Sequence, residues 1–457
     1  MDSQQAIPEP PEPVMPGDRP PRLGRVPFVD NTAAMLRDPL GFYDRAGAHE
    51  ADVVGYNVAG TTGCFVCHPD LVEQVLVTDA DAYEKGQLLQ DTLGQFIGEG
   101  LFLLEGEEWQ RQRTALQPAF YRERIAAYGD TMTEFADRTA AGWSDGQRID
   151  VLPHMQSLTL NILGKTLLDV DIETTADALE PLLDALRKRL DPRSLSAYLP
   201  LWVPTGTNRA VNRSLAEFQS TLDDVIAARQ REDERAREAR DDVLSLLLSL
   251  DDETMDRERL GHQLLTFLVA GHDTTALTLT YAWFLLANNP ECQQRLHEEL
   301  DATLGNSQPT PEDLFELPYL DAVLNEALRL YPPAFTVFRQ PTEPVTLGGY
   351  ELSPDAQLTL PQCSSTGTNG GTMHLTRSVP SGGTTTSRRR SRTTLLPLRR
   401  RPAPLHRHAL RPDGSQTRAG DHCPAVRCRG GHRTPAVAGD ADYAEPTEPV
   451  EVRLRDR

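Results

Sequence analysis

Apolar residues recur at helical spacing along most of the chain. Leu71, Val72, Val75 and Leu76 mark one helix face, and Leu244, Leu246, Leu247 and Leu250 mark another. The stretch Leu264–Asn289, LLTFLVAGHDTTALTLTYAWFLLANN, is apolar nearly all round and predicts a buried central helix. Counted from Leu260 it would run about 45 Å at about 1.5 Å per residue, until Pro290 stops it. A second helix is predicted at Tyr319–Leu330, with Leu320, Val323, Leu324, Ala327 and Leu328 on its core face and Pro332-Pro333 beyond its end. Strand-like runs are short, at 51–57, 63–67, 345–347 and 357–360. The expected class is mainly α with small β-sheets.

The pattern fails near both ends. Residues 1–24 are rich in proline and charge and predict a flexible arm. Residues 25–362 read as one helical domain. Between Cys363 and Asp440 there are fourteen arginines and three aspartates, with no lysine or glutamate, and neither periodicity survives. From Glu445 the sequence EPTEPVEVRLRDR alternates again, so 441–457 is expected to return to the domain as a strand.

Charge narrows the class. The 457 residues carry a net charge of -21, which argues against a general nucleic-acid binder. Only Lys85, Lys165 and Lys188 are lysines, and an acidic, lysine-poor surface suits high salt, an expectation that a salt titration of stability checks. No apolar run is long enough for a membrane span and the N-terminus lacks a signal-peptide layout, so a cytoplasmic protein is expected. Six scattered cysteines do not make a disulfide framework.

Three constellations carry candidate chemistry. Ala270-Gly271-His272-Asp273-Thr274-Thr275 places glycine and polar groups in the middle of the buried helix, where they are costly. One explanation is structural: a threonine bonded back to its own helix and Asp273 in an ion pair. The other is a local widening beside a ligand, where an acid and an alcohol pass protons. Glu326 and Arg329 are three apart and share a helix face, a pair common on solvated surfaces. Trp109 and Arg113 are four apart, and an indole beside a guanidinium can hold an anionic group.

Taken in order, with E-x-x-R about fifty residues after A-G-x-D-T-T, the chain resembles the cytochrome P-450 haem-thiolate monooxygenases over roughly Val26 to Gln362. The strand after E-x-x-R, with Arg339 in VFRQPTEPVTLGGYELSP, matches as well. The resemblance implies a mainly helical fold around a buried haem b. It implies that Trp109, Arg113 and Arg339 contact the haem propionates, and that Ala270 and Gly271 form the oxygen groove. Asp273 and Thr274 would deliver protons during dioxygen activation, and Glu326 and Arg329 would brace the loop leading to the iron ligand. An apolar small molecule would be hydroxylated with O2 and electrons from a separate ferredoxin or flavoprotein.

Two other motifs have competing readings. Cys64-Phe65-Val66-Cys67-His68 fits the pattern of covalent haem attachment, but also reads as a strand entering the helix His68–Val77. Asp251-Asp252-Glu253 loosely resembles the acidic metal motif of helical lyases, against a helix-capping or solvated cluster; no second carboxylate cluster faces it in the sequence.

One expected feature is missing. The family carries its iron-ligating cysteine in a Phe-Gly-rich loop near the C-terminus, and Cys363, Cys423 and Cys428 have no such context. No metal ligand is therefore assigned in the chain as written. A displaced reading frame accounts for this. Leu396–Arg411, LPLRRRPAPLHRHALR, has an allowed back-translation that reads FPFGGGPRHCIGMRF when started one base later. The cysteine codon then straddles Leu405 and His406. At the same offset 413–430 can give MEAKLALATIAQRYAVE, and 366–384 at a different offset can give RDERWYDAPDAFRPERWD. The competing expectation is a non-catalytic, haem-free helical protein whose basic tail binds an acidic partner; a Soret band on the purified product would exclude it.

Overall fold

The computed structural model describes residues 19–23, 31–170, 173–233, 240, 242–251, 253–305, 307–362, 437–439, 444–446 and 449–453. Its axis is the helix Arg257–Ala287, 31 residues long and unbroken. Asp256 starts it by accepting a hydrogen bond from the Arg259 amide at 2.9 Å, and the next helix, Pro290–Thr303, opens with the proline expected to end it. Burial follows the apolar pattern: Leu260, Leu264, Leu265, Leu268, Ala276, Leu277 and Tyr281 are all buried.

Two helices fix the middle of this axis. Val151–Leu163 packs along it, and Gly271 makes the close approach possible: a Cβ at 271 would stand 3.2 Å from Leu163 Cδ2. The helix carrying E-x-x-R, Pro318–Leu330, is anchored from its end by Tyr331, whose ring stacks on Tyr281 with centroids 4.4 Å apart. The helices Glu173–Leu190 and Gly206–Gln230 pack on each other and build the largest apolar cluster with the first half of the axis.

The sheets are small. The main one has the order Val53–Val58, Thr61–Val66, Gln357–Pro361, Thr336–Pro341, Tyr83–Glu84. The first two strands form a hairpin whose turn residues Ala59 and Gly60 both have positive φ, 50° and 85°. Thr61–Val66 then pairs in parallel with Gln357–Pro361, joining distant parts of the chain, and Phe338 faces Thr359 across the next antiparallel pair. Val345–Leu347 and Tyr350–Leu352 form a separate hairpin.

At the N-terminal end the expected arm is shortened. Leu23 donates its amide to Gly55 O at 2.8 Å and Gly55 donates back to Pro21 O at 2.7 Å, so residues 21–23 lie along the edge of the sheet. The physical reason is the open backbone edge of Val53–Val58, which a proline-rich segment can still meet through the groups it retains. Residues 1–18 and 24–30 lie outside the described residues, as do the Arg-rich stretch from 363 to 436 and residues 440–443. Beyond them Glu451–Arg453 pairs with Arg148–Asp150, with Val452 opposite Ile149. Val450 and Val452 are buried beside Ala276 of the axis.

Candidate functional site

Asp273 is the buried acid at the centre of the axis, 5% exposed. Its carboxylate accepts a hydrogen bond from Gln156 Nε2 at 3.3 Å and lies 3.7 Å from Arg187 Nε. His272 Nδ1 stands 3.0 Å away, within ion-pair distance but off the line of a good hydrogen bond, while His272 Nε2 meets Gln156 O at 3.1 Å. Burial pushes the Asp273 carboxyl up, but His272, Arg187 and Gln156 outweigh it and hold it below the usual carboxylate range. Gln156 and Arg187 come from two other helices, Val151–Leu163 and Glu173–Leu190. Nothing in their local sequence singles them out, beyond the fact that Arg187 begins a basic last turn.

Thr274 is turned elsewhere. Its Oγ1 donates to Ala270 O at 2.6 Å, one turn back along its own helix, and not to Asp273. Ala270 and Thr275 are exposed and Thr274 is partly so, although buried residues flank them on the same helix. Phe267, one turn earlier, is met edge-on by Phe120, whose ring is 5.4 Å away and 49% exposed. The helix thus presents an open stripe on which Ala270 and Phe267 lie beside the hydroxyls of Thr274 and Thr275.

Through 270–275 the backbone stays α-helical. Gly271 faces Leu163, where it permits close helix packing, and Ala270 lies on the open side. Both structural explanations weighed for the motif are present, since Thr274 bonds back to its helix and Asp273 is paired with Arg187.

A second group of charges gathers where the sheet meets the helix Gly106–Leu116. On that helix Arg113 lies over the Trp109 ring, 5.2 Å from its centroid. Glu105, the residue before the helix, accepts the Lys85 amide at 2.7 Å, and Lys85 Nζ donates to Leu104 O at 2.6 Å. Burial pushes the Lys85 ammonium down to about 8, with Glu105 opposing and Arg339 adding to the shift. Arg339 on Thr336–Pro341 is itself pushed down by burial against the pull of Glu105. Its guanidinium makes one hydrogen bond, Nη1 to Phe338 O at 2.7 Å, and no ion pair among the described residues. Two part-buried cations therefore lie in the field of one carboxylate with no ion pair to it among the described residues, an arrangement suited to a further anion. Sequence reasoning misses Lys85, because a lone lysine after a short strand carries no pattern.

Glu326 and Arg329 form a bidentate pair, Nε to Oε2 at 2.7 Å and Nη2 to Oε1 at 2.5 Å, with the Arg329 side chain 16% exposed. The loop that this pair is expected to brace lies outside the described residues. Cys64 is buried in the sheet opposite Gly55, burial pushes its thiol up to about 11, and Cys67 is buried too. His68 caps the following helix by accepting the Asp70 amide at 3.2 Å. The strand-into-helix reading therefore describes this segment, and no exposed thiol pair is available there for haem attachment. Asp251 accepts the Thr254 amide at 2.9 Å, closing a turn ahead of the axis helix. Among the described residues no cluster of His, Cys, Asp and Glu could hold a metal ion, and no helix is long and apolar enough to cross a membrane.

A protein-family profile described as "Cytochrome P450" matches residues 20–366. The chain is 35% identical over 341 residues to "Cyclooctatin synthase" of Streptomyces melanosporofaciens, covering 72% of each protein. It is 34% identical over 335 residues to "Pentalenene oxygenase" of Streptomyces avermitilis, covering 72% of this chain and 73% of that one. "Cyclooctat-9-en-7-ol 5-monooxygenase" of Streptomyces melanosporofaciens is 34% identical and covers 71% of each.

Proposed function

The chain belongs to the cytochrome P-450 family, and from that premise we propose how its own residues serve a haem-dependent monooxygenase. The family's cofactor is haem b, its reaction incorporates molecular oxygen into an apolar substrate, and its electrons come from a redox partner. When bound, the haem supplies the iron centre for dioxygen activation.

The residues present fit this group on two sides. The open stripe beside Ala270, Thr274 and Phe267 offers a flat face to cover. At the edge, Arg339 and Lys85 lie in the field of one carboxylate, and Arg113 on Trp109 supplies a third cation; these are suited to two propionates. The thiolate that would hold the haem iron is not supplied by the described cysteines. Cys64 and Cys67 are in the sheet and Cys292 is on Pro290–Thr303, while Cys363, Cys423 and Cys428 lie outside the described residues.

The single observation that carries the catalytic reading is the position of Asp273. It is a buried, ionised acid one residue from the hydroxyl that faces the open stripe. Its link to Arg187 and Gln156 leads away from the stripe toward the helix Glu173–Leu190, whose Arg187 side chain is 26% exposed. We assign Asp273 the carriage of protons from that side, and Thr274 their delivery on the other, with a rotation of the Asp273 side chain between them. Trp109, Arg113 and Arg339 are assigned to the propionates, Ala270 to the groove, and Glu326 with Arg329 to bracing the iron-ligand loop. The similar Streptomyces proteins are named for cyclooctatin, pentalenene and cyclooctat-9-en-7-ol, and we propose an apolar ring compound as substrate. A ferredoxin is the proposed electron donor.

The missing thiolate is assigned to a displaced frame. Two observations and one allowed back-translation support this. The family match stops at 366, where the composition breaks. The re-read loop FPFGGGPRHCIGMRF has the required cysteine. Finally, Val450 and Val452 return to the core beside Ala276, as an in-frame chain end would. The chain as written lacks the loop and is expected to be inactive. Resequencing the DNA that encodes residues 355–450 checks this. The expected result is a set of compensating insertions or deletions, either in the gene or in its recorded sequence, bounding a stretch that encodes the loop in another frame. Codons that cannot yield that loop in any frame would overturn it.

A further inference from the structure

The loop between the helices Gln87–Ile97 and Gly106–Leu116 lies against the first third of the axis helix. Gln263 is fully buried there, on a helix whose neighbouring Leu260, Leu264 and Leu265 are buried too. A side-chain amide in such a place is costly unless both its ends are bonded. Both are, and both to the backbone of the loop. Oε1 accepts the Leu101 amide at 2.9 Å, and Nε2 donates to Glu99 O at 3.3 Å. His262 Nδ1 accepts the Glu99 amide at 3.3 Å, and Arg259 Nε meets the Glu99 carboxylate at 3.1 Å.

The loop has no side chain at the points of closest approach. A Cβ at Gly100 would stand 2.0 Å from Thr266 Oγ1 and 2.9 Å from Ile97 O, and one at Gly98 would stand 2.3 Å from the His262 ring. From Gly100 a tight turn carries the chain onward: Gly100 O accepts the Leu103 amide at 2.9 Å and the Leu104 amide at 3.4 Å. Leu104 O then accepts Lys85 Nζ at 2.6 Å, and the Glu105 carboxylate accepts the Lys85 amide at 2.7 Å. A short run of hydrogen bonds thus leads from the Gln263 side chain to the Lys85 ammonium. Gln90 Nε2 adds one tie from outside it, to Leu103 O at 2.7 Å.

We propose that Gln263 is a positioning residue: it latches this loop to the axis helix and so holds the Leu104 carbonyl where Lys85 meets it. Without the latch, the His262 and Arg259 contacts remain, but they reach Glu99 and not the turn at Gly100. The Gln90 bond also remains, so the turn loosens without detaching, and water reaches the ammonium. In a haem-loaded protein the same loosening weakens the hold of Lys85 on a propionate. That last step rests on the functional reading above; the latch and its effect on Lys85 do not.

Competitive acetylation of the full-length, haem-free chain across pH, read by mass spectrometry, tests it. The chain has only three lysines, and Lys165 and Lys188, in other elements, serve as internal references. Burial holds the Lys85 ammonium at about 8, with Glu105 opposing and Arg339 adding to the shift. Gln263→Met keeps the reach of the side chain and removes both hydrogen bonds. It should raise the Lys85 value toward its ordinary 10.5, because water at the loosened turn favours the charged form. Hydrogen exchange in residues 98–104 should quicken about tenfold or more, the worth of a lost buried hydrogen bond. Gly100→Ala disturbs the same contact from the loop side and should shift Lys85 the same way; it decides the question if Gln263→Met does not fold. An unchanged Lys85 value in either folded variant would overturn the proposal. In the haem-loaded protein from a frame-restored gene, Gln263→Met should also speed haem transfer to an apo-globin about tenfold. A raised Lys85 value with an unchanged haem rate would keep the latch and remove Lys85 from the propionate site.

Discussion

In the holoprotein made from a frame-restored gene, Asp273→Asn is expected to lower substrate-dependent turnover about 10²-fold or more, the low end of what a placed proton-transfer group supplies. The amide keeps the shape and can still bond Gln156, but it carries no transferable proton at neutral pH. Haem content and substrate binding should not change, because Asp273 faces Gln156 and Arg187 and not the open stripe. A second readout comes from acid stability. The folded carboxyl is held below its ordinary value, so its stabilising effect is complete above about 3.9, the unfolded-chain value. It disappears as pH falls through the folded-state value. The stability gap between parent and Asp273→Asn should therefore be widest near neutrality and close in strong acid. Full turnover in the asparagine variant would remove Asp273 from the proton route.

Arg339→Met is expected to speed haem loss from the same holoprotein by about ten- to hundredfold, the worth of charge-assisted hydrogen bonds to an anion. The reason is unmet demand. Arg339 is part-buried, spends one N–H on the neighbouring Phe338 carbonyl and has no ion-pair partner among the described residues. Methionine fills similar space without the charge, so packing against the sheet should survive. Transfer of haem to an apo-globin acceptor, followed by absorbance, reads the rate. An unchanged rate would show that Arg339 does not hold a propionate. A further consequence concerns Lys85, whose depressed value reflects burial first and Arg339 among its other causes. Removing Arg339 should let the Lys85 ammonium rise.

The sequence is most informative where the chemistry is local. Leu264–Asn289 reads as a buried helix because apolar residues fall nearly all round it, and the observed Arg257–Ala287 differs only at its ends. Its start is set by Asp256, a cap visible in the sequence that the apolar count passes over. Glu326 and Arg329 are legible because three-residue spacing on a helix makes neighbours. The surroundings of Asp273 are not legible. Gln156 lies 117 residues away in the chain, and only the packing of two helices brings it to the carboxylate. Gly271 shows the same dependence on distant packing. A glycine in a helix can mean open space or close approach, and only the neighbour, here Leu163, decides which. Arg187-Lys188-Arg189 are three consecutive basic residues with three surroundings: Lys188 faces solvent, Arg187 meets Asp273, and Arg189 is buried in the wall of a cavity.

The proposal that the iron-ligand loop of this monooxygenase stands in a displaced frame is decided by a carbon-monoxide difference spectrum of the frame-restored protein, recorded beside the 457-residue chain as written. The expected result is the thiolate-type Soret band in the restored protein and none in the chain as written. The same band in the chain as written, or no such band in a folded, haem-loaded restored protein, would contradict it.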